Sequence, residues 1–113
     1  MPEAIVNVNG VVSDGDHAVI SIFDHGFLYG DGVYETLRTY NRQLFLLDQH
    51  LIRLRASASR VSLDIPLSDA ALGSRMEETM REVNPNGEVT IRALITRGIG
   101  DLTYDPAACP SPV

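Results

Sequence analysis

The sequence predicts an α+β domain, a mostly antiparallel sheet with two helices on one face. The order of patterns comes first: β-rich runs, then two stretches of helical periodicity, then another β-rich run. Two-residue turn signals, Asn9-Gly10 and Asn41-Arg42, each separate two β-rich runs, which marks hairpins. The 113 residues suffice for one compact domain and are too few for two ordinary ones.

Each element has its own reason. "AIVNVNGVVS" alternates apolar and polar residues around Asn9-Gly10, "SDGDH" makes a second turn, and "AVISIF" reads as a third strand. "DHGFLYGDG" packs Gly26, Gly30 and Gly32 together; such loops usually serve backbone geometry. It is not a dinucleotide fingerprint, because the third glycine and the following helix signal are missing. In "VYETLRTY-NR-QLFLLD" a two-residue turn pairs Tyr40 with Gln43, Arg38 with Phe45 and Thr36 with Leu47. Val33, Glu35, Leu37 and Thr39 then share one face, and Tyr34, Thr36, Arg38 and Tyr40 the other. Asp48 is the expected N-cap of a helix running to about Arg60, with Leu47, Leu51, Leu54, Ala58 and Val61 in one stripe and Arg53 and Arg60 nearly opposite. Ser68 caps a second helix to about Val83, with Leu72, Met76, Met80 and Val83 as its stripe and "NPNG" as its end. In "EVTIRALITR", Val89, Ile91, Ala93 and Ile95 point one way, and Thr90, Arg92, Leu94 and Thr96 the other. "GDLTYDPAACPSPV" reads as a connector, which suggests a further segment after it.

Composition narrows the function classes. Apolar residues at 44% and charged residues at 21% suit a globular chain rather than a disordered one. A net charge of −6 argues against nucleic acid as a main partner. No apolar run reaches the roughly 18 residues of a membrane span, and no secretory signal is present. The single cysteine, Cys109, favours a reducing, cytoplasmic setting. The nine basic residues are all arginine, so lysine chemistry from this chain is excluded.

Few residues are placed for catalysis. His17, His25 and His50 lie on separate elements without metal-ligand spacing, so no metal is expected, and each reads as a turn or surface residue. No nucleophile elbow occurs, and Cys109 lies in the tail. The sheet face away from the helices is more informative. Tyr34, Thr36, Arg38 and Arg92 look out from it, with Phe45 and Leu47 beside them. It reads either as a solvated face or as a ligand surface; its arginines, hydroxyls and aromatics suit a small anion such as a carboxylate.

The same residues carry a resemblance. "DHGFLYGDGVYETLRTYNRQLFLLDQHLIRL" resembles the N-terminal signature of fold-type IV (class IV) pyridoxal-phosphate enzymes, which include branched-chain and D-amino acid aminotransferases and aminodeoxychorismate lyase. "TIRALITRGIGDLTYDP" is most similar to the branched-chain enzymes, and the resemblance covers effectively the whole chain. It implies pyridoxal 5'-phosphate as cofactor and Arg53, in "HLIRL", as ligand to its phosphate. It implies Tyr29 and Tyr34 as substrate-pocket residues, with Tyr29 lent to the partner subunit of a homodimer. Thr36 and Arg38 fall beside them, and Arg92 matches an arginine that receives an acidic side chain.

The implied reaction moves an amino group between an α-amino acid, branched-chain by this resemblance, and 2-oxoglutarate. The implied domain plan is a small N-terminal domain over 1–105 and the start of a connector over 106–113. The Schiff-base lysine would lie in a C-terminal domain absent here, so this chain alone holds no catalytic residue and is expected to be inactive. Thr36 departs from the glycine that branched-chain enzymes often carry there; some lyases carry threonine. A lyase, a D-amino acid aminotransferase and a non-enzymatic small-molecule binding domain are the alternatives.

Overall fold

The computed structural model describes residues 4–83, 87–103 and 109–112. Among them the elements run β1 (Ile5–Val8), β2 (Val11–Asp14), α1 (His25–Tyr29), β3 (Gly32–Tyr40), β4 (Gln43–Leu44), α2 (Leu47–Arg60), α3 (Asp69–Arg81) and β5 (Thr90–Thr96). β1 and β2 form an antiparallel hairpin, and β4-β3-β5 form a second antiparallel sheet with β3 at its centre. The predicted α+β architecture is observed.

Local chemistry explains the joints. Asn9 and Gly10 both take left-handed backbone, φ 53° and 90°, as a type I′ hairpin turn requires. Ser68 caps α3 by accepting from Ala71 N at 3.1 Å. Gly32 opens β3 where an added Cβ would stand 2.7 Å from the Ile95 carbonyl oxygen, so the close β3–β5 approach there excludes any side chain.

β3 alternates as its sequence predicts: Val33, Glu35, Leu37 and Thr39 are buried, and Tyr34, Thr36, Arg38 and Tyr40 are exposed. The buried side meets α2 and α3 in two apolar clusters. One is Val33, Leu54, Ala58 and Leu63; the other is Leu37, Leu51, Leu72 and Met76. Both helices therefore lie on one face of the sheet, and burial of these side chains is the main stabilising contribution.

Several expectations are corrected. "AVISIF" is not a strand; it is a loop in which Val19, Ile20, Ile22 and Phe23 stay exposed. β-propensity acts only through a partner edge, and among the described residues this stretch is assigned to no ladder; the isolated bridge of Asp24 with Ile99 comes just after it. The glycine-rich loop contains helix α1, capped by Asp24 accepting from Gly26 N at 2.7 Å. Tyr40 does pair with Gln43, and Phe45 N donates to the Arg38 carbonyl at 3.0 Å, but β4 stops at Leu44. Leu47 thus faces no Thr36: it opens α2 and packs with the Leu37 cluster, off the open sheet face. Leu46, at φ 55°, rather than Asp48, is the N-cap, with no side-chain cap bond; Asp48 sits in the first turn, where its charge suits the helix dipole.

The remaining differences lie at the ends. Val61 falls just past α2 and is exposed, while Met80 and Val83 are only half-buried near the end of α3. Thr96 is buried rather than open, because its hydroxyl donates to Asp24 Oδ2 at 3.0 Å. Residues 84–86 of "NPNG" and residues 104–108 lie outside the described residues, so the expected helix stop and the 105/106 boundary do too.

Candidate functional site

β4 pairs with β3 only at Thr39 and Tyr40, so that edge of β3 runs beside α2 rather than another strand over residues 34–36. On α2, His50, Arg53, Ser57 and Arg60 follow at spacings of three, four and three. At about 100° per residue they form one polar stripe on the flank of the core stripe, so Arg53 and Arg60 stand to the side of the core, within reach of Glu35, rather than nearly opposite it. Strand edge and polar stripe enclose a cleft of about 520 Å³ lined by Tyr34, Glu35, Thr36, Arg53, Ala56, Ser57 and Arg60.

One carboxylate organises this cleft. Glu35 points to the helix side of β3, and its side chain is 8% exposed. Its Oε1 accepts from His50 Nδ1 at 2.8 Å and lies 3.3 Å from an Arg53 terminal nitrogen. A carboxylate only accepts, so Nδ1 carries the His50 proton. The Arg53 side chain is 70% exposed beyond this anchor, and Arg60 stands two turns further along the same side. Two guanidiniums and the Ser57 hydroxyl give the cleft donors whose chemistry suits an anion, with the Glu35 carboxylate at its inner side.

The open sheet face adjoins it. Thr36 lies opposite Arg92 and Tyr34 opposite Leu94 in the β3–β5 register. The Arg92 guanidinium carbon stacks 4.4 Å from the Tyr34 ring centroid, and that of Arg38 4.6 Å from the Tyr40 ring. Tyr40 and Phe45 pack edge to face at 4.6 Å. Of the sequence-derived candidates, Tyr34, Thr36 and Arg53 meet in the cleft, and Arg38 and Arg92 share the exposed face. Tyr29 stands apart, ending α1 with its ring edge-on to His25 at 4.8 Å.

The histidines divide. His17 is an exposed turn residue, as expected, but His25 is 1% exposed and His50 is half-buried against Glu35. His25 N donates to the Gly98 carbonyl at 2.8 Å, and Nε2 lies 2.7 Å from the Asp101 carbonyl, which fixes the proton on Nε2. Asp31 receives Arg97 in two bonds, Nε to Oδ2 at 3.0 Å and a terminal nitrogen to Oδ1 at 3.2 Å. The other Arg97 donors reach the Ser62 and Val61 carbonyls at 2.9 and 2.6 Å. "DHGFLYGD" and "TRGIGD" are thereby pinned to each other through Asp24–Thr96, His25–Gly98 and Asp31–Arg97.

Glu35, His50, Ser57 and Arg60 escape the face-by-face reading of the sequence. Glu35 sits on the strand's apolar side, where pattern alone makes it a core intrusion; the 3-4-3 polar spacing on α2 is the signal that finds the others. Among the described residues no three of His, Cys, Asp and Glu come together to hold a metal ion. Burial, reinforced by Asp31, pushes the Cys109 thiol up, which lowers its thiolate fraction, and the thiol donates to the Gly98 carbonyl at 3.5 Å.

Residues 32–113 match the protein family described as Amino-transferase class IV. A putative branched-chain-amino-acid aminotransferase of Methanocaldococcus jannaschii is 43% identical over 107 residues, which cover 95% of this chain and 37% of that protein. A D-alanine aminotransferase of Bacillus licheniformis is 37% identical over 90 residues, covering 80% of this chain and 31% of the relative. The chain thus spans about a third of the length of these curated relatives. Among solved structures, the branched-chain aminotransferase of the thermophilic archaeon Thermoproteus uzoniensis, with norvaline, superposes with a TM-score of 0.79 at 26% identity, over 91% of this chain and 36% of that one.

Proposed function

The chain belongs to the class IV amino-transferase family, and on that premise we propose that it forms the N-terminal small domain of a pyridoxal-phosphate-dependent aminotransferase acting on a branched-chain amino acid and 2-oxoglutarate. The observation that carries this reading is the Arg53 guanidinium, anchored at 3.3 Å on buried Glu35, exposed at the cleft mouth and beside Tyr34 and Thr36. The donor set fits the phosphate of that cofactor: Arg53 and Arg60 supply charge and directed N–H groups, Ser57 a hydroxyl, and about 520 Å³ leaves room for a phosphate end. When bound, the cofactor supplies the electron sink for chemistry at the amino acid's Cα.

This chain's own residues bind and orient. Arg53 holds the phosphate. Arg92 and Arg38, spread over Tyr34 and Tyr40, present N–H donors to a substrate carboxylate, and Thr36 adds a hydroxyl between them. Stacking on the rings fixes each guanidinium plane and shields one side of it from water. Tyr29, outside the cleft, is assigned to the partner subunit's site in a homodimer. The sequence has no lysine, so the residue that moves the Cα proton comes from elsewhere in the protein.

The 37% identity to a D-alanine aminotransferase favours one second reading, transamination of a D-amino acid on the same scaffold. Substrate profiling of the natural full-length protein tests both. Glutamate formed from 2-oxoglutarate with leucine, isoleucine or valine is the expected result. Turnover of D-alanine alone favours the second reading. Pyruvate release from aminodeoxychorismate without any transamination would overturn both.

A further inference from the structure

We propose that Glu35 is a positioning residue for Arg53, braced from behind by His50, so that a guanidinium at an open cleft mouth is held ready for the cofactor's phosphate. The inference rests on the assignment of Arg53 to that phosphate. Three features lead to it. Glu35 is the one ionised residue among the buried positions of β3, between Val33 and Leu37. Its Oε1 accepts from His50 and forms an ion pair with Arg53, two α2 residues one helical turn apart. Arg53 has five N–H donors, of which this contact engages one nitrogen, leaving the rest for the cleft.

The fold gains little from this arrangement. A buried carboxylate loses its hydration, and the arginine that repays it is mostly in water, where ion pairs contribute weakly. An apolar side chain at position 35 would pack with Val33 and Leu37 without that cost. What the carboxylate does accomplish is to remove rotamer freedom from a long, exposed arginine before any ligand arrives. His50 matters because it holds the carboxylate itself: with Nδ1 at 2.8 Å, Oε1 stays aimed at the helix stripe.

Glu35 also brings a negative charge near the phosphate, which opposes binding. Reach and charge are separable. Glu35→Gln keeps the acceptor oxygen in place and removes the charge; Glu35→Asp keeps the charge and withdraws it by one methylene. If positioning dominates, Glu35→Asp weakens pyridoxal 5'-phosphate by about tenfold, as loss of an orienting partner does elsewhere. Glu35→Gln then stays within about threefold of the unaltered protein, and His50→Ala falls between the two.

The test is absorbance titration of the natural full-length apoprotein with pyridoxal 5'-phosphate and, in parallel, with pyridoxal, which lacks the phosphate. The dissociation constant of pyridoxal divided by that of the phosphate form isolates the phosphate end and cancels general damage to the fold. A ratio that falls with Glu35→Asp and His50→Ala, but holds with Glu35→Gln, supports the proposal. Equal losses for both ligands, or a larger phosphate-specific effect from Glu35→Gln than from Glu35→Asp, would overturn it. Arg53→Ala separates the levels. If that variant leaves the ratio unchanged, the phosphate assignment itself fails and the positioning role with it. If Arg53→Ala lowers the ratio and Glu35→Asp does not, only the positioning role fails.

Discussion

Two arginines in this chain make ion pairs of opposite kinds. The Arg53 side chain is 70% exposed and meets Glu35 through one nitrogen, whereas that of Arg97 is 8% exposed and spends its donors on Asp31, Ser62 and Val61. Arg53→Ala therefore costs the fold at most about 1 kcal/mol by urea denaturation, because His50 still satisfies Glu35. In cofactor titration the same change costs on the order of 1.5–3 kcal/mol, the worth of a charge-assisted hydrogen bond; unchanged affinity removes Arg53 from the site. Arg97→Ala leaves Asp31 and two carbonyls without their donor in a covered position, and its cost is about 3–5 kcal/mol of folding stability. A loss below about 1 kcal/mol would mean that water replaces the pair at no penalty, and the pinning of the glycine-rich segment to 96–101 would lose its physical basis.

At the scale of elements, the β3–β4 turn is held from outside by Glu88. Its carboxylate accepts from Arg42 N at 2.9 Å, Asn41 N at 2.6 Å and Thr39 Oγ1 at 3.1 Å. The Arg42 amide above all, then the Thr39 hydroxyl, the Asn41 amide and the Arg38 charge, hold this carboxyl below its ordinary range against the pull of desolvation. Its folded-state value lies below the unfolded one, so its contribution is complete above about pH 4.3 and is lost as pH falls through the folded value. Urea midpoints of the unaltered chain and Glu88→Ala should differ near neutral pH and converge as pH falls below the ordinary glutamate range and through the lowered folded value; a gap independent of pH would rule out the ionised carboxylate as the cause. This clamp also shows where the sequence was legible. Strict alternation in "VYETLRTY" identified both faces of β3, because a two-residue period permits one burial pattern. The apolar spacing of α2 and α3 placed their buried sides for the same reason. The failures lie where non-local contacts decide: "AVISIF" has strand composition but no long ladder, Leu46 starts α2 in place of Asp48, and Glu35 is stabilised by a helix a dozen residues away. No single-strand pattern encodes those partners.

Over the whole molecule, charge and apolar surface are both unevenly distributed. The net charge is −6, yet Arg38, Arg53, Arg60 and Arg92 gather on the cleft and open sheet face. That face also exposes Tyr34, Phe45 and Leu94, and the loop and short helix before β3 expose Val19, Ile22 and Phe27. Exposed large apolar side chains in this number mark contact regions where they adjoin. The chain by itself should therefore self-associate and bind a hydrophobic dye; a monomer that binds none would count against the small-domain assignment. Cofactor chemistry gives the sharper test. The candidate site supplies anion donors, but a covalent adduct with an aldehyde needs a primary amine, and guanidinium groups stay protonated and do not substitute. With no lysine in the sequence, the α-amino group is the only primary amine the chain offers. Borohydride reduction after mixing this chain with pyridoxal 5'-phosphate should label the N-terminal peptide or nothing, and no amino acid should be transaminated. The cofactor's phosphate should still protect the cleft: phenylglyoxal modification of Arg53 should slow in its presence, while Arg75 on α3 reacts at an unchanged rate. Stoichiometric label on an internal peptide would place the reactive amine within this chain and defeat the assignment. Protection of Arg53 without internal label would locate the phosphate end of the proposed site in this chain and leave the proposed proton transfer outside it.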